Sequence, residues 1–110
     1  MNAPFNPLAS RAYGVFLEEL SRHLGEVRIR LGRGDPIGST EARELGERFH
    51  TIKGGAGFFG LHEIEQVAAG LEQIFLAPSA EPWPSGWEEH LVKLEALSAR
   101  VPRPAGGVHA

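Results

Sequence analysis

Apolar residues return every three or four positions from Tyr13 to Leu31: Tyr13, Phe16, Leu17, Leu20, Leu24, Val27 and Leu31, with Glu18, Glu19, Arg22 and Glu26 between them. That spacing places one apolar stripe along an α-helix. Gly32-Arg33-Gly34-Asp35-Pro36-Ile37-Gly38 should end it, because glycine and proline both interrupt helices. Ser39 or Thr40 is positioned to cap a second helix, whose inward members are Leu45, Phe49, Ile52, Ala56 and Phe59, with Gly60 as its stop. A third helix begins near Leu61 or His62 and carries Ile64, Val67, Ala68, Leu71, Ile74 and Phe75 on one face. Pro78 to Pro84 reads as a connector and Ser85 as the cap of a fourth helix, with Trp87, Leu91, Leu94, Leu97 or Ser98, and Val101 inward. No convincing strand pattern occurs. The expectation is an all-α fold, an antiparallel up-down-up-down four-helix bundle over residues 1–101, followed by a linker or flexible tail at 102–110 that begins Pro102-Arg103-Pro104-Ala105-Gly106-Gly107.

Composition narrows the function classes. With 110 residues, 42% of them hydrophobic, the chain suffices for one domain and one core. A net charge of -3 lacks the basic footprint of a nucleic-acid binder. The absence of cysteine excludes disulfides and thiolate metal sites, and fits a reducing compartment. Neither a leader-like N-terminus nor an apolar run of membrane-spanning length is visible, so a soluble, cytoplasmic chain is expected.

The segment His50-Thr51-Ile52-Lys53-Gly54-Gly55-Ala56-Gly57-Phe58-Phe59-Gly60 contains a literal G-x-G-x-x-G. A dinucleotide fingerprint needs a buried strand leading into the glycine turn. Here the approach, Glu41 to Phe49, is charged at helical spacing, which argues against a phosphate-cradling loop. The second glycine cluster ends in Gly38-Ser39-Thr40 without a P-loop lysine, and its Arg33-Gly34-Asp35 is ordinary turn chemistry.

Glycines inside a helix are costly. At about 0.8 to 1 kcal/mol each relative to alanine, Gly46, Gly54, Gly55 and Gly57 together cost roughly 3 to 4 kcal/mol. On a helical projection Gly46, Lys53, Gly54 and Gly57 lie within about 60° of His50, while the apolar stripe centres about 140° away. His50 therefore stands on the outward face beside a lysine, with little bulk around it. Metal ligation is disfavoured, since His23, His62 and His90 fall on other elements and His62-Glu63 has no histidine four residues on. Nucleophilic catalysis on a small substrate would need a pocket that a convex helix does not supply. A covalent phosphate on the ring suits the pattern better: the lysine offsets its charge, and the bare surface admits the active sites of other proteins.

These residues resemble a known family. The segment fits the H-x-x-K-G-x-x-x-x-x-G pattern of histidine-containing phosphotransfer (HPt) domains, and "IKGGAGFFG" is similar to the N-terminal phosphoacceptor domain of CheA-type chemotaxis histidine kinases. The resemblance implies that His50 accepts phosphate from ATP held by a kinase domain, in cis or in trans, and passes it to an aspartate of a CheY-like response-regulator receiver. Lys53 falls on the motif lysine. No cofactor or metal is expected on this chain, because ATP belongs to the kinase domain and Mg²⁺ to the receiver. Nor is catalysis by the isolated chain, which would be a monomeric carrier module. Gly46 departs from the pattern, since relatives carry a larger apolar residue there.

The family also orients its histidine with a glutamate on the next helix. If the second and third helices form a hairpin turning near Gly60, the residue level with His50 lies near 71, which favours Glu72. Glu65 shares the same edge of the apolar stripe but sits about 10 Å along the helix from Glu72, too far unless the register shifts. Glu72 would accept a hydrogen bond from Nδ1–H and leave Nε2 free to attack phosphorus. The expected partner-contact residues are Gly46, Glu47, Gly54, Gly57 and Phe58, the last equally open to a packing role. Other readings are a free-standing relay protein outside chemotaxis, a helical interaction module without phosphoryl chemistry, and a small nucleotide-binding protein.

Overall fold

Four α-helices make up the regular structure of the computed structural model, which describes residues 11–77 and 86–102. They are α1 (Arg11–Gly32), α2 (Ser39–Phe58), α3 (His62–Leu76) and α4 (Trp87–Ala99), and no strand occurs among the described residues. The expected 78–84 connector, the Ser85 cap and most of the 102–110 tail lie outside the described residues.

The apolar stripes become the core. Leu20, Leu24 and Val27 of α1, Phe49, Ile52 and Ala56 of α2, Ile64, Ala68 and Leu71 of α3, and Leu91 and Leu94 of α4 are buried in one cluster. Tyr13, Leu17 and Phe59 form a smaller one. Phe16, Ile74 and Val101, all expected inward, are only partly buried beside these clusters. Helix α1 meets α2, α2 meets α3, α3 meets α4, and α4 returns to α1, as a four-helix bundle requires.

The cap of α2 differs from expectation. Gly38, with φ -77° and ψ 170°, precedes α2, and neither Ser39 nor Thr40 caps it with a side chain. Ile37, buried in the core, anchors the approach, and the first helical bond already runs from Ala42 N–H to Gly38 O. Glu41 in the first turn supplies the negative charge that the exposed N–H groups favour. Gly86, at φ +85°, is the residue that precedes α4.

The exit from α2 follows the sequence. At Gly60 the backbone turns to φ +75°, Gly60 N–H reaches Gly57 O at 3.2 Å and Leu61 N–H reaches Ala56 O at 2.8 Å. These paired bonds are a Schellman stop, which leaves only Phe59 to Leu61 between α2 and α3. A turn so short sets the level at which α3 passes α2. Gly60→Ala forces a Cβ into the left-handed region and is expected to cost about 1–2 kcal/mol; urea unfolding with an unchanged midpoint would show that the turn is not under this constraint.

Candidate functional site

Successive pairs show how α3 lies against α2. Gly57 faces Glu65, His50 faces Glu72, and Phe49 stacks on Phe75 with ring centroids 5.8 Å apart. Gly46 faces Leu76. Glu72 therefore arrives beside His50, whereas Glu65 lies toward the Gly60 turn, where its carboxylate covers Gly57.

His50 is 65% exposed, and its Nδ1 lies 2.8 Å from Glu72 Oε2. Lys53 Nζ sits 2.7 Å from the other oxygen, Oε1. Glu72 is only 15% exposed, so its carboxylate is held between two nitrogens at the edge of the α2–α3 seam. The hydrogen bond from Lys53, opposed by burial and reinforced by the hydrogen bond from His50, holds the Glu72 carboxyl below its ordinary range. An ionised carboxylate only accepts hydrogen bonds, so Nδ1 carries a proton, and in the neutral imidazole Nε2 is then the nitrogen with the lone pair. Among the described residues Nε2 makes no hydrogen bond. The arrangement leaves an exposed nucleophilic nitrogen on a ring held from behind.

A match to the Hpt domain family extends over residues 11–101. The chain is an Hpt domain. No curated protein and no solved structure matches it. Membership makes this Hpt domain a phosphohistidine carrier of two-component signalling, a class whose members interact with histidine kinases and response regulators.

The surface around the imidazole of this Hpt domain is less bare than the helical projection implies. Gly54 is open, with nothing within 4 Å of the place a Cβ would occupy. Glu47 and Phe58 are exposed, Phe58 to 66%, with its ring edge-on to Phe59. Gly46, expected on the open face, is instead buried, and a Cβ there would stand 2.5 Å from Leu76 Cδ2. Gly57 is half-buried, with Glu65 Oε2 2.9 Å from its would-be Cβ. Gly55 admits the Phe16 ring, 2.5 Å from the same position. The reason is geometric: a projection of α2 alone omits the side chains that α1 and α3 extend over its glycines. The Lys53–Glu72 pair was also unanticipated, although its signal was present, since Lys53 is one turn beyond His50 on the same edge.

His23, His62 and His90 stand apart from the site. His23 Nδ1 accepts from Arg48 on the α1 side of α2, and burial lowers the His23 pKa. His90 lies against Gly70, and His62 is paired with Glu65 near the turn. Among the described residues no cluster of three His, Asp or Glu side chains is disposed to hold a metal ion, and no helix is long and apolar enough to cross a membrane.

Proposed function

We propose that His50 Nε2 is the atom that carries the phosphoryl group, that Glu72 orients and charge-balances the ring, and that Lys53 neutralises the added phosphate. The observation that carries this reading is an imidazole 65% exposed with its Nδ1 held by a carboxylate, which directs the free lone pair to solvent. In the loading step the Nε2 lone pair attacks the γ-phosphorus of ATP on a kinase domain. The N–P bond forms, the bridging P–O bond breaks, and its electron pair leaves with ADP. The ring becomes a phosphorylated imidazolium whose Nδ1–H still faces Glu72, so the carboxylate opposes the positive charge where it develops. In the unloading step a receiver aspartate attacks the same phosphorus, the N–P pair returns to Nε2, and a neutral imidazole remains. Lys53, bound to Glu72 in the unphosphorylated chain, is one turn from the ring and can share its charge with the phosphate.

The finer assignments belong to the same reading: a chemotaxis-type phosphoacceptor module in the cytoplasm, monomeric, serving a CheY-like receiver that brings Mg²⁺ and a kinase domain that brings ATP. The likeness of "IKGGAGFFG" to the chemotaxis subgroup supports it. An up-down-up-down path is supported by the descending order on α2 against the ascending order on α3, from Gly57–Glu65 through His50–Glu72 to Gly46–Leu76. Exposed Glu47, Gly54 and Phe58 are the docking surface, with Gly57 at its margin.

Incubation with a kinase core, ATP and a receiver tests the proposal. Acid-labile, alkali-stable phosphate mapped by mass spectrometry to the peptide containing His50, and chased onto the receiver, is the expected result. Phosphate on His23, His62 or His90, or none at all, would overturn it.

A further inference from the structure

Leu76 closes α3 with 42% of its surface exposed, an unusual position for a leucine that also touches a buried backbone. The buried backbone is that of Gly46, where an ideal Cβ would lie 2.5 Å from Leu76 Cδ2 and 2.6 Å from Cγ. Any side chain at 46 would have to displace Leu76, so the glycine seats the leucine across α2. Gly46 is four residues before His50 on α2, and Leu76 is four residues after Glu72 on α3. Since Gly46 touches Leu76 and His50 touches Glu72, the two contacts are successive rungs, about 6 Å apart along the helices. An exposed apolar side chain thus flanks the imidazole on the side opposite Phe58, which lies about 12 Å away along α2.

We propose that Leu76, seated by Gly46, is a docking contact for the receiver domain and sets which receivers this carrier serves. The inference rests on His50 being the phosphoryl carrier. Partner choice follows from reach. An aspartate side chain is short, so a receiver must bring its surface almost flush with Nε2, whereas a kinase presents phosphate at the end of an extended nucleotide and can stand further off. A standard interface covers about 800 Å² on each partner, a disc of roughly 16 Å radius. Leu76, about 6 Å from the ring, lies well inside such a disc centred on His50. Covering its exposed apolar surface on docking would remove that surface from water, which favours association.

The test compares the full chain with Leu76→Ala, Leu76→Met and Gly46→Ala, each loaded with phosphate by a kinase core and offered a receiver that accepts phosphate from the wild type. Leu76→Ala is expected to lower kcat/KM for transfer about tenfold through KM, with kcat at saturating receiver and the rate of loading from the kinase unchanged. Leu76→Met should restore transfer. Gly46→Ala, which improves helix propensity, should fold and yet weaken transfer by displacing the leucine. If Leu76→Ala does not fold, comparing Leu76→Met with Leu76→Gln applies the same test at nearly constant volume. Transfer unaffected by loss of the apolar group overturns the proposal. So does an equal loss in loading, which would assign the contact to the kinase, or a change confined to self-association in sedimentation, which would assign it to a second copy. Because loading of His50 is measured in every variant, failure of the carrier reading itself would be seen separately.

Discussion

Replacing His50 with glutamine is expected to abolish phosphorylation by a kinase core while leaving fold and receiver binding in place. Glutamine is close in length, and its amide can still donate to Glu72, so the carboxylate keeps two donors, the new amide and Lys53 Nζ. His50 is 65% exposed and contributes little to the core, so the melting temperature should change little. An amide nitrogen has no available lone pair, and no N–P bond can form. Acid-labile phosphate on the variant would mean that another residue is the acceptor. Retained receiver affinity with lost transfer would separate docking from chemistry, and loss of both would show that the ring itself is a major binding contact. The prediction exploits the division of labour at the site, in which Glu72 holds one face of the ring and nothing among the described residues engages Nε2.

What could be read from the chain, and what could not, divides along a physical line. Helix α2 was legible because Leu45, Phe49, Ile52 and Ala56 repeat at helical spacing, and all four are buried. The level of Glu72 was legible because Gly60 ends α2 so sharply that residues equally distant from the turn must face each other. Both inferences use local chain geometry. Gly46 and Gly55 were not legible as packing sites, because their neighbours Leu76 and Phe16 come from other helices and only the assembled bundle places them. The α2 cap failed for a related reason. Ser39 has the right chemistry, but the buried Ile37 brings the chain into α2 one residue earlier, at Gly38. Thus the imidazole and its carboxylate partner emerge from motif and register, while the shape of the surface around them depends on tertiary packing. The surface proposed for docking belongs to that second part.

Glu72→Ala should slow transfer to a receiver about 10- to 100-fold, roughly 1.4 to 2.7 kcal/mol of barrier, with His50 still phosphorylatable. Two effects are lost together. Without an acceptor at Nδ1 the ring is free to rotate and to place its proton on Nε2, and no carboxylate opposes the positive charge that forms as phosphorus is gained. Glu72→Gln separates them, since its amide oxygen still accepts from Nδ1–H but carries no charge; it should fall between wild type and alanine. A transfer rate for Glu72→Ala equal to wild type would remove the orienting role. The pH dependence supplies a second check. Lys53 first, and His50 after it, hold the Glu72 pKa below its unfolded value, so the stabilisation is fully present above the ordinary glutamate range and is lost as pH falls through the depressed folded value. Acid unfolding of the wild type should therefore include a contribution in that window that Glu72→Ala lacks, and the two stability curves should converge on the acid side. At neutral pH the stability difference should be modest, because Lys53 is one-third exposed and water readily takes over its ammonium once the carboxylate is gone. A large change in transfer rate beside a small change in stability is the signature of a residue that acts on the ring and not on the fold.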